Sequence, residues 1–248
     1  IANDAAGMVV PETSYPVEPY TGGYTSYMKI STFLNAYDSL PYWAEHVIAH
    51  ELHHAIQMRN GYSVSGTPGN YIFNGWFFEQ TASYMENVIF PNSIHLSTML
   101  SNCNVTTPLT FPEYGIDYPA DLYQYRSALW QKYLVEAYND STIIRTLWED
   151  YGTEYGIGNP VSLFPIYNNV INQVTQGEQT LSDAFSDYAV WRYFTGDRSI
   201  PGEYFDEGAG YCTSLITDST DQFTFFSETG GMYSFDLPSS PFDLTISS

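Results

Sequence analysis

The chain has 248 residues, which is enough for one large domain or two small ones with a substantial buried core. Hydrophobic residues make up 44 % of the chain and aromatic residues 17 %, a composition that excludes a disordered protein. Seven Lys and Arg oppose 28 Asp and Glu, and the net charge of −21 makes nucleic acids and anionic membranes unsuitable partners.

The first part of the chain predicts loops and then a helix. Residues 1–38 contain several Pro and Gly residues, so we expect loops with one or two short strands around residues 24–30. An apolar, His-containing pattern at helical spacing predicts helix one from Pro41 to Arg59, which ends before Gly61.

Further helices are predicted downstream, separated by loops. Residues 62–73 are rich in Gly, Ser and Pro and indicate a loop, after which Asn74 can cap a second helix that runs to about Val88. A third, long helix is predicted from Pro119 to Tyr138, with an apolar stripe formed by Leu122, Leu129, Tyr133 and Leu134. A fourth helix is predicted to begin at a cap formed by Asp140 or Ser141. Two more helices are predicted over residues 161–174 and 180–195, and Gly196 ends the last one.

The C-terminal residues favour strands over helices. Phe223–Phe226, Met232–Leu237 and Phe242–Ile246 alternate in polarity between Gly and Pro turns. The whole order of elements predicts a mainly α (α+β) fold with small β elements at the N-terminus and C-terminus. We expect two parts, residues 1–198 and a β-rich extension over residues 199–248 that could pack on the same domain.

The compartment is indicated by the start of the chain and by its cysteines. The chain opens at Ile1 with neither an initiator Met nor a targeting segment, which fits a mature secreted protein or an excised fragment. Its two cysteines, Cys103 and Cys212, predict either one disulfide in an oxidising compartment or two buried free thiols. No stretch of about twenty continuous apolar residues occurs, so membrane insertion is not expected.

Helix one carries a motif typical of metal sites. Four of the five histidines lie within nine residues, and residues 50–54 spell H-E-x-x-H. Residues four apart share a helical face, so His50 and His54 can direct imidazole nitrogens to one ion about 2 Å from each. Glu51 lies about 100° further round and can reach a water at the ion without being a ligand.

A third ligand is needed because a catalytic zinc keeps three protein ligands and one open position. Glu79 lies in an aromatic-rich helical segment, and coordination would remove the cost of burying its charge. The alternative places Glu79 as a surface acid at the rim of a cleft. Glu86, within about 20° of Glu79 on the helical wheel, suits an acceptor for the N–H of a ligand imidazole, although a structural role fits equally.

The other histidines have weaker predictions. His53 can line the cleft beside the ligands or pack with its N–H satisfied. Three imidazoles on one straight helix cannot surround an ion tetrahedrally, so His46 is expected outside the ligand set or in solvent. His95 stands alone in the sequence and is given no role.

The motif and its continuation resemble a known class of enzymes. H-E-x-x-H followed by W-x-x-E-x-x-A-x-Y-x-E, here His50–His54 and Trp76–Glu86, resembles the gluzincin zinc metallopeptidases. The phrases AHELHHAIQ, WFFEQTASYMENVIFP, YRSALWQKYLVEAY and WRYFTGDR resemble a family of secreted, mostly uncharacterised prokaryotic proteins of metallopeptidase type. The likeness covers residues 25 to 210. This chain departs from the gluzincin pattern at two points. The spacing to Glu79 is longer than in thermolysin-like members, and Gln80 stands where aminopeptidase members often have Gly.

The resemblance implies a fold, a ligand set and a reaction. It implies a zincin-like helical catalytic domain in which an active-site helix and a Glu-ligand helix hold zinc through His50, His54 and Glu79, with Glu51 as general base. Tyr125 resembles the catalytic Tyr of aminopeptidase-type gluzincins, which donates a hydrogen bond to the developing negative charge. Arg126 is the alternative donor.

The expected function is therefore that of a secreted zinc metallopeptidase acting on a peptide or protein substrate. An endopeptidase is preferred because no G-x-M-E-N exopeptidase segment precedes the H-E-x-x-H motif. The alternative is a catalytically inactive, metal-stabilised cell-surface or adhesion module on a peptidase fold, which the acidic, Tyr-rich composition and the β-like tail favour. The sequence does not predict the oligomeric state.

Overall fold

A computed structural model of the chain describes residues 6–14, 23–32, 43–61, 74–91, 94–118, 122–154, 163–216, 222–226 and 232–236. This part of the chain is mainly helical, with two small antiparallel sheets. The prediction of a mainly α fold with small β elements is confirmed for these residues. The loop over residues 62–73 and the strand Phe242–Ile246 lie outside them.

An antiparallel hairpin precedes the helices. Strand β1 (Gly7–Ser14) pairs with β2 (Tyr24–Ile30), from Gly7 opposite Ile30 to Ser14 opposite Tyr24. The register shifts between Pro11 and Ser14, next to a residue that has no N–H to donate to a ladder. Strand β2 was expected, whereas the interpretation of residues 7–14 as loop is wrong.

Two helices form the framework of the candidate site. Helix α1 (Trp43–Asn60) ends before Gly61, whose φ of 142° suits a residue without a side chain. Helix α2 (Gly75–Ile89) packs against α1. Both agree closely with the predicted helices. Asn74 stands at the N-cap of α2 as predicted, and its carbonyl accepts from the Phe77 N–H at 3.0 Å, although its side chain makes no capping hydrogen bond.

The long third helix was predicted wrongly. The chain instead forms α4 (Tyr123–Arg126) and α5 (Leu129–Tyr138), joined by a tight turn in which the Trp130 N–H donates to the Ser127 carbonyl at 2.9 Å. Of the four residues predicted on the apolar stripe, Leu122 has a φ of 60° and is mostly exposed. The other three, Leu129, Tyr133 and Leu134, are buried as predicted. The turn therefore separates α4 from α5.

One short helix was missed, and the three at the C-terminal side were found. Helix α3 (His95–Ser101) lies in a region with no helix prediction. The next helices are α6 (Ile143–Glu154), α7 (Leu163–Val174) and α8 (Leu181–Tyr193).

Local capping hydrogen bonds mark the starts of α6 and α8, although only the cap of α6 was predicted. The Asp140 carboxylate accepts from the Thr142 N–H at 2.8 Å just before α6, as predicted for that residue. Thr180 and Asp183 form a reciprocal capping box at the start of α8. Such local hydrogen bonds depend only on neighbouring residues, so the sequence can indicate them.

Aromatic rings from α2 and α5–α8 make the centre of the core. Each buried ring of this kind removes about 150–250 Å² from water and adds edge-to-face or offset contacts. Buried rings at this centre include Trp76, Phe77, Trp130, Tyr133, Trp148, Tyr167 and Tyr188.

The residues after α8 are tied to this core. Cys103 and Cys212 form a disulfide, so the disulfide alternative of the sequence analysis is the one that the structure shows. Phe205, Tyr211 and Ile216 are buried in the same core cluster as α5–α8. Beyond them β3 (Gln222–Phe226) pairs with β4 (Met232–Asp236). The division at residues 198 and 199 stays a prediction.

Among the described residues, no helix is both long and apolar enough to cross a bilayer.

Candidate metal centre

Helix α1 exposes several apolar side chains and buries mainly polar ones. Ile48, Leu52 and Ile56 are 42 %, 45 % and 50 % exposed, although apolar side chains of a helix normally face the core. The buried side of α1 consists mainly of polar or ionisable residues, namely His46, His50, Glu51, His53 and Gln57. Burying such groups is costly unless they bind each other or a ligand, so this face indicates a functional site.

Three side-chain atoms converge at the junction of α1 and α2. The Nε2 atom of His50 lies 3.0 Å from Oε2 of Glu79 and 3.0 Å from Nε2 of His54. Nε2 of His54 lies 3.4 Å from the same Glu79 oxygen. The structure thus brings together the three residues predicted as metal ligands.

The spacing of these atoms fits a small tetrahedral ion. Ligand atoms at about 2.0–2.1 Å from such an ion stand about 3.3–3.4 Å apart. The observed separations of 3.0 to 3.4 Å are close to this value. Two imidazoles and one carboxylate are also the donor set of a familiar class of catalytic zinc sites.

Outer hydrogen bonds determine which nitrogens face the centre. Nδ1 of His50 donates to Oε1 of Glu86 at 2.8 Å, and Nδ1 of His54 donates to Oε1 of Gln57 at 2.6 Å. A neutral imidazole that donates from Nδ1 carries its lone pair on Nε2. Two such lone pairs and the Glu79 carboxylate oxygen then point to one place, where only a proton or a cation removes their repulsion.

Glu86 occupies the outer position that the sequence predicted, and Gln57 was missed. Gln57 is fully buried, and its amide also donates to the Phe78 carbonyl and to Thr81 Oγ1, both at 2.9 Å. Gln57 follows His54 by three residues and shares its helical face, so a helical wheel would have placed the two side chains next to each other.

His95 was missed for a different reason. Its Nδ1 lies 2.5 Å from Oε2 of Glu86, so the carboxylate that holds His50 also contacts α3. The residue is isolated in sequence and belongs to a helix that was not predicted, and no local pattern points to it.

The buried charges favour a cation at the centre. Burial by itself lowers the pKa of His50, but Glu79 and Glu86 together raise it to about 10. Burial acts to raise the pKa of the Glu79 and Glu86 carboxyl groups. Hydrogen bonds and charges from the neighbouring histidines nevertheless hold both pKa values below the usual range. The site therefore favours carboxylates around a positive charge.

Glu51 lies beside the ligand cluster and is not a member of it. Burial raises the pKa of its carboxyl group, while the charges of His54 and His50 act in the opposite direction. The first residue of β1 lies directly against it, since a Cβ at Gly7 would stand 2.6 Å from Cγ of Glu51. The hairpin thus covers the residue predicted as general base.

Tyr125 also lies at the centre. Its ring stacks on His50 with centroids 5.7 Å apart and an angle of 27° between the planes. Burial, together with the charge of Glu79 and a hydrogen bond to it, raises the pKa of the phenol far above its usual value, so the group stays a donor. Arg126, the alternative, donates from Nη1 to the Thr106 carbonyl at 3.0 Å.

The remaining two histidines of α1 have different environments. His53 is buried edge-on against Trp148, and burial lowers its pKa to about 3, so its ring is neutral. The ring packs, as in one alternative of the sequence analysis, but neither of its buried nitrogens has a hydrogen-bond partner among the described residues, so the satisfied N–H of that alternative is not observed there. His46 is also buried and lies near Glu86, with Nδ1 at 3.9 Å from Oε2, outside the predicted ligand set.

The chain belongs to a family of unknown function (DUF6055), whose model matches residues 31–223. The match includes α1 to α8 and hence every residue of the candidate metal centre, whereas the β1–β2 hairpin precedes it. No curated protein and no solved structure matches the chain significantly.

Proposed function

We propose that the chain is a secreted zinc metallopeptidase of gluzincin type, with a zincin-like catalytic domain, that hydrolyses internal bonds of peptides or proteins. The observation that carries the proposal is the convergence of His50 Nε2, His54 Nε2 and Glu79 Oε2 within 3.0 to 3.4 Å. Both imidazoles are held in the orientation that a metal requires, by Glu86 and Gln57.

Zinc held by these three residues would acidify water and polarise the scissile carbonyl. Glu51 takes the proton of the attacking water and passes it to the leaving amine. The raised pKa of its carboxyl group suits a residue that must both accept and return a proton. Its exclusion from the ligand cluster leaves its oxygens available for this transfer.

Tyr125 supplies the hydrogen bond that the reaction needs at the carbonyl oxygen. Its phenol is partly buried next to Glu79, where a donor in a low-dielectric site stabilises developing negative charge more strongly than water does. Stacking on His50 fixes the ring relative to the ligands. The bond that this phenol makes to Glu79 would be exchanged for one to the substrate.

Secretion is supported by the disulfide, because such bonds persist mainly in oxidising compartments. The preference for internal peptide bonds rests on the sequence, which has no G-x-M-E-N exopeptidase segment before His50. A peptide or protein is the substrate class that this chemistry serves.

Hydrolysis of casein or of a peptide library tests the proposal. We expect a chelator to abolish the activity and zinc to restore it. Glu51→Gln should lower the rate at least about 100-fold, as expected for loss of a general base, while it binds zinc as tightly as the wild type. Glu45→Gln, in the first turn of the same helix, is the matched control and should keep both properties.

Two outcomes would contradict the proposal. Undiminished activity of Glu51→Gln would remove the assigned base. A tightly bound zinc whose removal only unfolds the chain, with no hydrolysis of any peptide, would favour the metal-stabilised surface or adhesion module instead.

A further inference from the structure

A second group of donor atoms lies on the other side of Glu86, where α1, α2 and α3 meet. His46, Glu86 and His95 each place one nitrogen or oxygen atom within 4.8 Å of the others. We propose that these three residues bind a second divalent metal ion, separate from the one at His50, His54 and Glu79.

The distances place His46 and His95 around one carboxylate oxygen. Nδ1 of His46 stands 3.9 Å from Oε2 of Glu86, which is too far for a hydrogen bond. Two ligands of one ion at bond lengths of about 2.0–2.1 Å lie from about 3.3 Å apart in a tetrahedron to about 4.2 Å when opposite. The His46 separation falls within this range.

His95 is already close to the same oxygen, at 2.5 Å. To admit an ion its ring has to move back by about 1 Å, to the spacing of co-ligands. The ring lies on α3, a helix of only seven residues, and its imidazole is the most exposed of the three side chains. His95 is therefore the ligand that can adjust, while His46 and Glu86 are fixed on longer helices.

The burial and charge of the cluster favour a cation. His46 and Glu86 are 2 % and 4 % exposed, and the carboxylate brings a negative charge into this interior position. Oε1 of Glu86 accepts from His50, and Oε2 faces His46 and His95. The carboxylate would thus be a ligand of the second ion and a hydrogen-bond acceptor for a ligand of the first. A buried carboxylate between imidazoles is stabilised by a bound cation.

The donor set limits the class of ion. Two imidazole nitrogens and one carboxylate oxygen suit zinc, cobalt or nickel, whereas calcium and magnesium prefer sites made of oxygen. The second centre does not depend on peptidase activity, so it can be tested whether or not the proposed function holds.

Titration of the metal-free full chain with Zn²⁺ tests the inference, with bound metal counted by elemental analysis after excess ion is removed. The wild type should bind two equivalents. His95→Gln should bind one, and His46→Gln should also bind one, which guards against a variant that fails to fold. His53→Gln, which changes another buried histidine of α1, is the matched control and should keep two.

His54→Gln separates the two proposals. If both centres exist, it loses the first ion and keeps the one that depends on His95. If only the second exists, His54→Gln binds the same amount as the wild type and His95→Gln binds none.

Two results would overturn the second centre. The first is a wild type that binds one equivalent, lost in His54→Gln, since His95 then only donates a hydrogen bond to Glu86. The second is an additional equivalent that survives in both His95→Gln and His46→Gln.

Discussion

Glu86 and Gln57 orient the two proposed imidazole ligands, His50 and His54 respectively, but the two acceptors differ in charge. Each accepts the Nδ1 proton of one imidazole, but Glu86 is charged whereas Gln57 is neutral. A charged acceptor makes the ligand imidazole more basic than a neutral one does. We therefore expect His50 to be the stronger of the two nitrogen ligands.

Replacing Gln57 by Leu tests the neutral acceptor. The change removes the hydrogen bond to His54 and leaves its Nδ1–H buried without that partner, so zinc affinity should fall by about 10–100-fold. The dissociation constant can be measured by competition with a chelator of known affinity.

Gln57→Glu is the matched variant, because a carboxylate still accepts from His54. Its zinc affinity should stay within about tenfold of the wild type. Equal affinities for the wild type and Gln57→Leu would show that Gln57 does not orient the ligand.

The pH dependence of the zinc-free chain depends on His50. Its pKa in the folded state, raised to about 10, lies above the unfolded value of about 6.5. The stabilisation from the protonated ring is thus complete below about pH 6.5 and is lost as the pH rises through about 10. Between pH 7 and pH 9 the free energy of unfolding should fall by up to about 1.4 kcal/mol per pH unit.

Urea unfolding in the presence of a chelator measures this dependence. His50→Gln should flatten it, because the titrating ring is gone. A wild-type stability that is constant or increases from pH 7 to pH 9 would contradict the ion pairs assigned to His50.

At the scale of elements, the sequence indicated the candidate site because the proposed ligands and their neighbours recur at helical spacing within α1 and within α2. The spacing of His50 and His54, and of Glu79 and Glu86, is a helical periodicity that can be read without tertiary structure. The same applies to the capping bonds of α6 and α8.

The features that the sequence did not indicate, namely α3, β1 and the turn at Ser127, depend on contacts between distant segments. Helix α3 brings His95 to Glu86, and strand β1 is defined only by its pairing with β2. The turn at Ser127 interrupts a run of good helix formers, and it is held by tertiary packing around a fully buried residue. Propensity alone cannot resolve such positions.

The contact between β1 and α1 yields a prediction for Gly7. A methyl group at this position would meet Cγ of Glu51 at 2.6 Å and its Oε1 at 2.9 Å, so either the carboxylate or the strand must move. Gly7→Ala should lower the rate of peptide hydrolysis at least about tenfold through the displaced base. Zinc affinity should not change, because Glu51 is not a ligand.

Gly75→Ala is the matched control for this variant. Gly75 opens the helix that carries Glu79, yet a Cβ there would meet no atom of the described residues within 4 Å. Both activity and zinc affinity should be retained. A Gly7→Ala variant as active as Gly75→Ala would show that the hairpin does not position Glu51.

At the scale of the whole molecule, the disulfide joins the segment after α3 to the segment after α8. Cys103 and Cys212 are 109 residues apart in sequence, and they close a loop that contains α4 to α8. Because a cross-link restricts the unfolded chain, long loops gain the most in the chain-entropy description.

Changing both cysteines to Ser should lower the free energy of unfolding by about 2–5 kcal/mol. Guanidinium unfolding of the double variant provides the value, and the wild type under reducing conditions should unfold at the same midpoint. The zinc stoichiometry of the folded variant should not change. Identical midpoints for the oxidised and reduced wild type would contradict the stabilising role.

The most direct test of the central claim is X-ray diffraction recorded on both sides of the zinc absorption edge, from crystals grown with zinc. The account predicts an anomalous peak about 2.0–2.2 Å from His50 Nε2, His54 Nε2 and Glu79 Oε2. Crystals that show these three side chains ordered but no anomalous peak between them would contradict it.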